Sequence, residues 1–315
     1  MADGGAAVTR LEQSLADYLQ LRRSLGHQLA DAGRLLPRFV AFLDDRGLPA
    51  VTVAAAMEWA AVPAADPRST AGSRRMTAVR GFARYLAGVD PATEVPPLGL
   101  LPQPARWRGP FVFSPADIGL IMNRVGDFTP PLRSATYVTL IGLLAATGLR
   151  IGEAIKLDRA DIDWSTGLLL IRESKFGKSR LVPVTDTTLQ ALCDYARLRD
   201  ELQRRVRQPS LFTSRTRHRL CYAVVSEAFR TVIDASGIGA DTPRRPRLHD
   251  LRHTFAVRTL LGWYRSGEDV RAKIPALSTY LGHREPGSTY WYLSAVPELL
   301  AYAAARQNAT LAVTP

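Results

Sequence analysis

Arg150, Lys175, His249, Arg252, His283 and Tyr292 are of types that, gathered at one place, could break and remake a phosphodiester without a metal. Such a transfer passes through a five-coordinate phosphorus with extra negative charge on its non-bridging oxygens. Fixed guanidinium groups can neutralise that charge where water is scarce. A tyrosine phenol can attack once neighbouring cations favour its phenolate. A lysine can protonate the departing 5′ oxygen. A covalent phosphotyrosine would keep the energy of the broken link, so rejoining needs no nucleotide.

The stretch Arg247-Leu-His-Asp-Leu-Arg-His-Thr-Phe-Ala-Val-Arg258 carries the centre of this set. His249 and Arg252 are three apart and share one face of a helix, while Leu248, Leu251, Phe255 and Leu260 form an apolar stripe that would bury it. Arg150 follows a Thr-Gly turn, with Glu153 placed to support it or simply to pair with it. Lys175 and Lys178 are two of only 4 lysines beside 37 arginines and lie between two strand-like runs. His283 follows Leu281-Gly282, and Tyr292 lies nine residues further on, inside Ser288-Thr-Tyr-Trp-Tyr-Leu293. Tyr290 competes as nucleophile but falls two residues off, on the other side of a helix. His253 points about a quarter-turn from Arg252 and reads as a buried or supporting histidine. With His249 it mimics the zinc-binding His-Glu-x-x-His spacing. Arg252 would set a permanent positive charge beside such a metal, and no third ligand is in view, so a zinc hydrolase is disfavoured.

The elements that must position these groups are mostly helices. At 315 residues the chain has room for two domains, each with its own core. Helical spacing runs through Leu11, Leu15, Tyr18, Leu19 and Leu25, then Leu35, Leu36, Phe39, Val40 and Leu43 up to Gly47. A third helix starts at an N-cap near Thr52 and stops at Pro63. A fourth buries Met76, Val79, Phe82, Tyr85 and Leu86, with Arg74, Arg75, Arg80 and Arg84 on its surface. Six prolines between Asp90 and Pro110 mark a linker, in which Arg106-Trp-Arg108 could follow a phosphate backbone. The domains expected are 1–92, a linker at 93–112, and 113–315. The second opens on Ser114-Pro115-Ala-Asp117, an N-cap with proline at the first helical position. Helices run to Gly148, strands at 168–172 and 180–184 form a hairpin, and helices resume to a short amphipathic tail at 295–306. The fold class is mainly α, with one small antiparallel sheet.

A net charge of +12 points to a polyanionic partner, most simply nucleic acid. Cys193 and Cys221 show no metal-ligand spacing and are expected as reduced core thiols. No signal pattern and no run of eighteen apolar residues occurs, so a cytoplasmic protein is expected.

The pieces Thr147-Gly-Leu-Arg-Ile-Gly-Glu153, Leu248-His-Asp-Leu-Arg-His-Thr254, Leu281-Gly-His283 and Thr289-Tyr-Trp-Tyr292 resemble the signature boxes of the tyrosine recombinases, the phage-type integrases and Xer-like resolvases. Their order and spacing agree across residues 110–295. The N-terminal helices resemble that family's SAM-like core-binding domain, and the Tyr-Trp-Tyr-Leu run is similar to integrases and transposases of mobile elements. The resemblance implies that Arg150 and Arg252 clamp the scissile phosphate and that Lys175, favoured over Lys178 by a Lys-x-Gly-Lys-x-Arg arrangement, is the general acid. It implies that His249 and His283 assist proton handling and phosphate binding, and that Tyr292 forms a 3′-phosphotyrosine. It also implies double-stranded DNA as partner, a homotetramer on DNA alone or with related recombinases, and no cofactor or metal. The tail alone would pack back on its own domain, and the resemblance implies that it docks on a neighbouring protomer when DNA is bound. The competing readings are a catalytically silent DNA-binding regulator of the same fold and a type IB topoisomerase-like relaxation of DNA.

Overall fold

A computed structural model describes residues 4–61, 70–101, 109–172, 179–203, 209–243, 245–283, 285, 287–295 and 298–302. The chain divides into two compact units, Met1–Trp107 and Arg108–Pro315.

The first unit holds four helices: α1 (Gly4–Ser24), α2 (Ala30–Asp45), α3 (Val53–Ala61) and α4 (Ala71–Leu86). The apolar stripes read from spacing meet in one core, where Leu36, Phe39, Leu43, Val79 and Phe82 are fully buried. Each such side chain contributes about 1.5–3 kcal/mol by leaving water. Leu25 departs from the expected stripe: α1 ends at Ser24, and Leu25 is largely exposed. Thr52 caps α3 by accepting from the Ala55 N–H at 3.1 Å. The expected stop at Pro63 lies outside the described residues.

Arg80 was expected on the surface and is instead buried. Its guanidinium donates to the carbonyls of Pro96 and Pro97 at 2.7 and 2.8 Å. Prolines have no N–H to offer a partner strand, but their carbonyls remain strong acceptors. Glu94 adds a second tie, its N–H donating to Val51 and its carboxylate accepting from the Val53 N–H. The first part of the proline-rich stretch is thus fastened onto the helices instead of running free. Arg106, Trp107 and Arg108 lie outside the described residues.

The second unit opens with α5 (Pro115–Gly126), where Ser114 and Asp117 form a reciprocal capping box. α6 (Pro131–Thr147) and the short α7 (Ile151–Lys156) follow. Three antiparallel strands, β1 (Ile162–Asp163), β2 (Leu168–Ile171) and β3 (Arg180–Pro183), lie in that order, with Leu169 opposite both Ile162 and Val182. Side chains alternate across the sheet: Leu169, Ile171 and Val182 enter the core, and Leu181 faces out. The residues joining β2 to β3, including Lys175 and Lys178, lie outside the described residues.

Helices α8 (Asp186–Leu202), α9 (Tyr222–Ser236), α10 (Leu248–Arg265), α11 (Val270–Leu281) and α12 (Gly287–Ala295) complete the unit. α10 carries the expected buried positions Leu248, Leu251 and Leu260, while Phe255 stacks on Tyr280 with ring centres 5.6 Å apart. A second apolar cluster joins α10, α11 and α12 and includes Tyr292 and Leu299. Neither cysteine is a core thiol: Cys193 is half-buried, and Cys221 is exposed at the N-cap of α9. Of the tail, residues 298–302 pack within their own chain, Leu299 buried and Tyr302 stacked on Tyr264. The remainder from 303 lies outside the described residues.

Candidate active site

Two helix C-termini build the floor of the site. α6 ends at Gly148 and α11 at Gly282, both in the left-handed conformation with φ of 61° and 68°. The last carbonyls of a helix have no partner within it and carry the negative end of the helix dipole. Here guanidinium groups take them. Arg252 donates Nη1 to the Gly148 carbonyl at 2.8 Å and Nη2 to the Leu281 carbonyl at 2.6 Å. Arg150 donates Nη2 to the Gly282 carbonyl at 3.0 Å and Nη1 to that of Leu281 at the longer 3.5 Å. The Leu281 carbonyl is therefore common to both arginines.

Arg150 is the N-cap of α7, and Glu153 in the first turn of that helix answers it twice. One carboxylate oxygen accepts from the Arg150 backbone N–H at 3.0 Å, the other from its guanidinium at 2.8 Å. Arg180 on β3 makes two further bonds to Glu153, at 3.1 and 3.0 Å, and donates Nε to the Tyr280 carbonyl at 2.8 Å. Burial alone would raise the Glu153 carboxyl, but Arg180 and then Arg150 hold it below the usual carboxylate range. Glu153 stays ionised and ties two arginines from different elements to one point.

α10 presents its first turns to this floor. Arg252 is 2% exposed. Burial, then the charge of Arg150, brings its pKa down to about 10, so it remains positive at neutral pH. The rings of His249 and His253 meet edge to face at 4.6 Å, as residues four apart on one helix face can. Burial and then Arg252 lower His249 to about 4, although the residue itself is exposed. Burial and then His249 lower His253 to about 3, and burial and then Arg252 lower His283 to about 4. All three imidazoles are neutral at pH 7. No third His, Cys, Asp or Glu joins a pair of them in metal-binding geometry among the described residues.

α12 brings in the tyrosine. Tyr292 is 2% exposed, whereas Tyr290 is 47% exposed. The Tyr292 hydroxyl lies 3.0 Å from His253 Nδ1, and its ring lies nearly parallel to that of His283 with centres 6.3 Å apart. His283 Nδ1 is 2.7 Å from the buried Thr289 hydroxyl, which fixes the turn after α11 to α12. Burial raises the Tyr292 phenol above its ordinary pKa, and Arg252 and Arg150 counter this only in part. The cations were expected to favour the phenolate. In this state the loss of hydration outweighs them and the phenol is protonated.

The structure thus gathers Arg150, His249, Arg252, His283 and Tyr292, while Lys175 lies outside the described residues. Two groups at the centre were not among the expected catalytic residues, although His253 was read as a buried or supporting histidine. Arg180 was noted only as the last residue of the Lys-x-Gly-Lys-x-Arg run, whose basic end was the available signal. His253 was placed a quarter-turn away. That angle is right for α10 but ignores α12, which approaches from the His253 side.

The profile of the phage integrase family matches residues 113–298. An integrase/recombinase of Sinorhizobium fredii, y4rB, is 40% identical over 93% of this chain and 95% of its own length. Tyrosine recombinase XerD of Bradyrhizobium diazoefficiens is 29% identical over 95% of this chain and 90% of its own. The Tn1549 transposon integrase, solved in complex with transposon right end DNA, shares the fold with a TM-score of 0.61 at 16% identity, covering 94% of this chain and 98% of that one. The chain belongs to the phage integrase family and is a tyrosine recombinase. No described helix is long and apolar enough to cross a membrane.

Proposed function

We propose that this recombinase cuts and rejoins double-stranded DNA at a specific site through a 3′-phosphotyrosine on Tyr292, in the movement of a mobile element. The observation that carries the reading is the pair Arg150 and Arg252, held side by side on helix-end carbonyls, one of them shared, beside the Tyr292 ring. A phosphate entering there would find two fixed guanidiniums whose positions are already set, so little reorganisation precedes the reaction. Lys175 would protonate the leaving 5′ oxygen, and His249 and His283, neutral at rest, would donate hydrogen bonds to the phosphate. Residues 1–92 would bind the duplex together with the catalytic unit, and four copies would assemble on paired sites. The net charge of +12 supports phosphate-dominated binding, which weakens steeply with salt.

The test is a nicked suicide duplex bearing the ends of the mobile element, followed by a denaturing gel. The expected result is a covalent adduct that Tyr292→Phe abolishes and Tyr290→Phe retains. An adduct that persists in Tyr292→Phe would overturn the assignment of the nucleophile. A bound, verified site that yields no adduct would favour a DNA-binding regulator.

A further inference from the structure

A phenol that attacks phosphorus must lose its proton, and the surroundings of Tyr292 narrow down where that proton goes. The hydroxyl sits on a 2% exposed residue, so bulk water is a poor acceptor. Arg252 and Arg150 are permanent donors and cannot take it. His283 lies ring to ring with Tyr292 and has its Nδ1 on Thr289. His253 Nδ1, at 3.0 Å, is the nitrogen within hydrogen-bond reach that can accept. The His253 ring is braced for this by His249 on one edge, by Trp291 at 5.5 Å, and by Tyr292 itself.

We propose that His253 is a further catalytic residue, the proton acceptor for Tyr292 during strand cleavage. The proposal rests on Tyr292 being the nucleophile. As the bond from Tyr292 Oη to phosphorus forms and the bond from phosphorus to the 5′ oxygen breaks, the phenolic proton moves to His253 Nδ1. The imidazole becomes an imidazolium, and the 5′ oxygen takes its proton from a separate acid, the lysine assigned above. In rejoining, the 5′ hydroxyl attacks, Oη leaves, and the imidazolium returns the proton. Nδ1 accepts only in the tautomer with hydrogen on Nε2.

The charged and titratable groups around His253 are His249, Arg252 and Arg247 on α10, His283 after α11, and Tyr292 on α12. Burial first, and then these charges, keep the ring neutral, hence able to accept, while the site is empty. A bound phosphate brings the negative charge that offsets those same cations. His253 therefore becomes a stronger base when substrate is in place.

The experiment is single-turnover cleavage of the nicked suicide duplex by wild type, His253→Ala and His253→Gln from pH 6 to 9, with and without added imidazole. DNA binding is measured alongside. Both variants are expected to bind DNA as wild type does and to form adduct about 100-fold more slowly. Imidazole should restore His253→Ala, and the deficit should narrow as hydroxide replaces the base at high pH. A deficit that is the same at every pH and indifferent to imidazole would mean that His253 only positions the phenol, and would overturn the proposal. Variants that cleave like wild type would also overturn it. Should His253→Ala lose DNA binding through misfolding, His253→Gln decides, since its amide keeps a hydrogen bond but accepts no proton. Wild type that forms no adduct on a bound site would remove the Tyr292 reading itself, and this proposal with it.

Discussion

Arg180 and Glu153 form a two-point ion pair, with both guanidinium Nη atoms within 3.1 Å of the two carboxylate oxygens. It is inside the protein, the side chains being 11% and 6% exposed. The Arg150 guanidinium shares the same carboxylate, so three charges depend on one another.

Removing one member of such a group leaves the others buried without compensation. Glu153→Ala should destabilise the protein by about 3 kcal/mol, and Arg180→Ala by a comparable amount. The double variant should lose clearly less than the sum, because the second removal relieves a charge the first left unpaired. Urea unfolding of the four proteins measures this. Strict additivity would show that the pair is not coupled.

Stability should also depend on pH in a window set by the histidines. His253 and His283 are lowered from 6.5 to about 3 and 4, while the shift of the exposed His249 is screened by solvent and adds little. Below pH 6.5 the unfolded chain takes up protons that the native rings refuse, so stability is full above 6.5 and falls as pH falls toward 4. Glu153 works at lower pH: its carboxyl is lowered from 4.5, so its contribution is present above 4.5 and is lost as pH falls below it. Urea midpoints at pH 7 and pH 5 should differ less in His253→Gln than in wild type. Equal differences would contradict the proposed burial of that ring.

The two helix-ending glycines should resist substitution for a combined reason. A Cβ on Gly148 would meet Phe255 at 2.6 Å, and one on Gly282 would meet the Arg180 guanidinium at 2.7 Å, both on backbones with positive φ. Left-handed strain costs about 1–2 kcal/mol and overpacking about 1–3 kcal/mol, so Gly148→Ala should cost about 3 kcal/mol. Gly282→Ala should cost less, since the end of an arginine can move aside. It should nevertheless slow cleavage, because the Arg180 it displaces anchors Glu153. Thermal unfolding together with adduct formation separates the two effects.

The segment 298–302 offers a further check. Leu299 is fully buried against the cluster that also contains Tyr292. Leu299→Ala should destabilise the protein by about 3 kcal/mol. It should also loosen the end of α10, whose Arg265 pairs with Glu298, and faster trypsin cleavage at Arg265 would report this. An unchanged melting temperature would show that the tail does not dock in its own chain.

Much of this was legible in the sequence because it is written in local patterns. Apolar spacing gave α2, α4 and α10, and Ser114 with Asp117 gave the start of α5. What was missed depends on partners distant in the chain. β1 has two residues, too few to show alternation. Arg80 looks like any surface arginine until Pro96 and Pro97 turn their carbonyls toward it. His253 and Arg180 gain their meaning from α12 and Glu153, which lie 39 and 27 positions away.

The Leu281 carbonyl accepts from Arg150 and from Arg252. Mechanically this oxygen is a common pivot. A displacement of the end of α11 reaches both guanidiniums at once, while Arg252 keeps its own hold on the Gly148 carbonyl and Arg150 keeps Gly282 and Glu153. The clamp is a linkage jointed at this oxygen and pinned separately at each outer end, so whatever holds α11 in place sets part of its grip on both sides together.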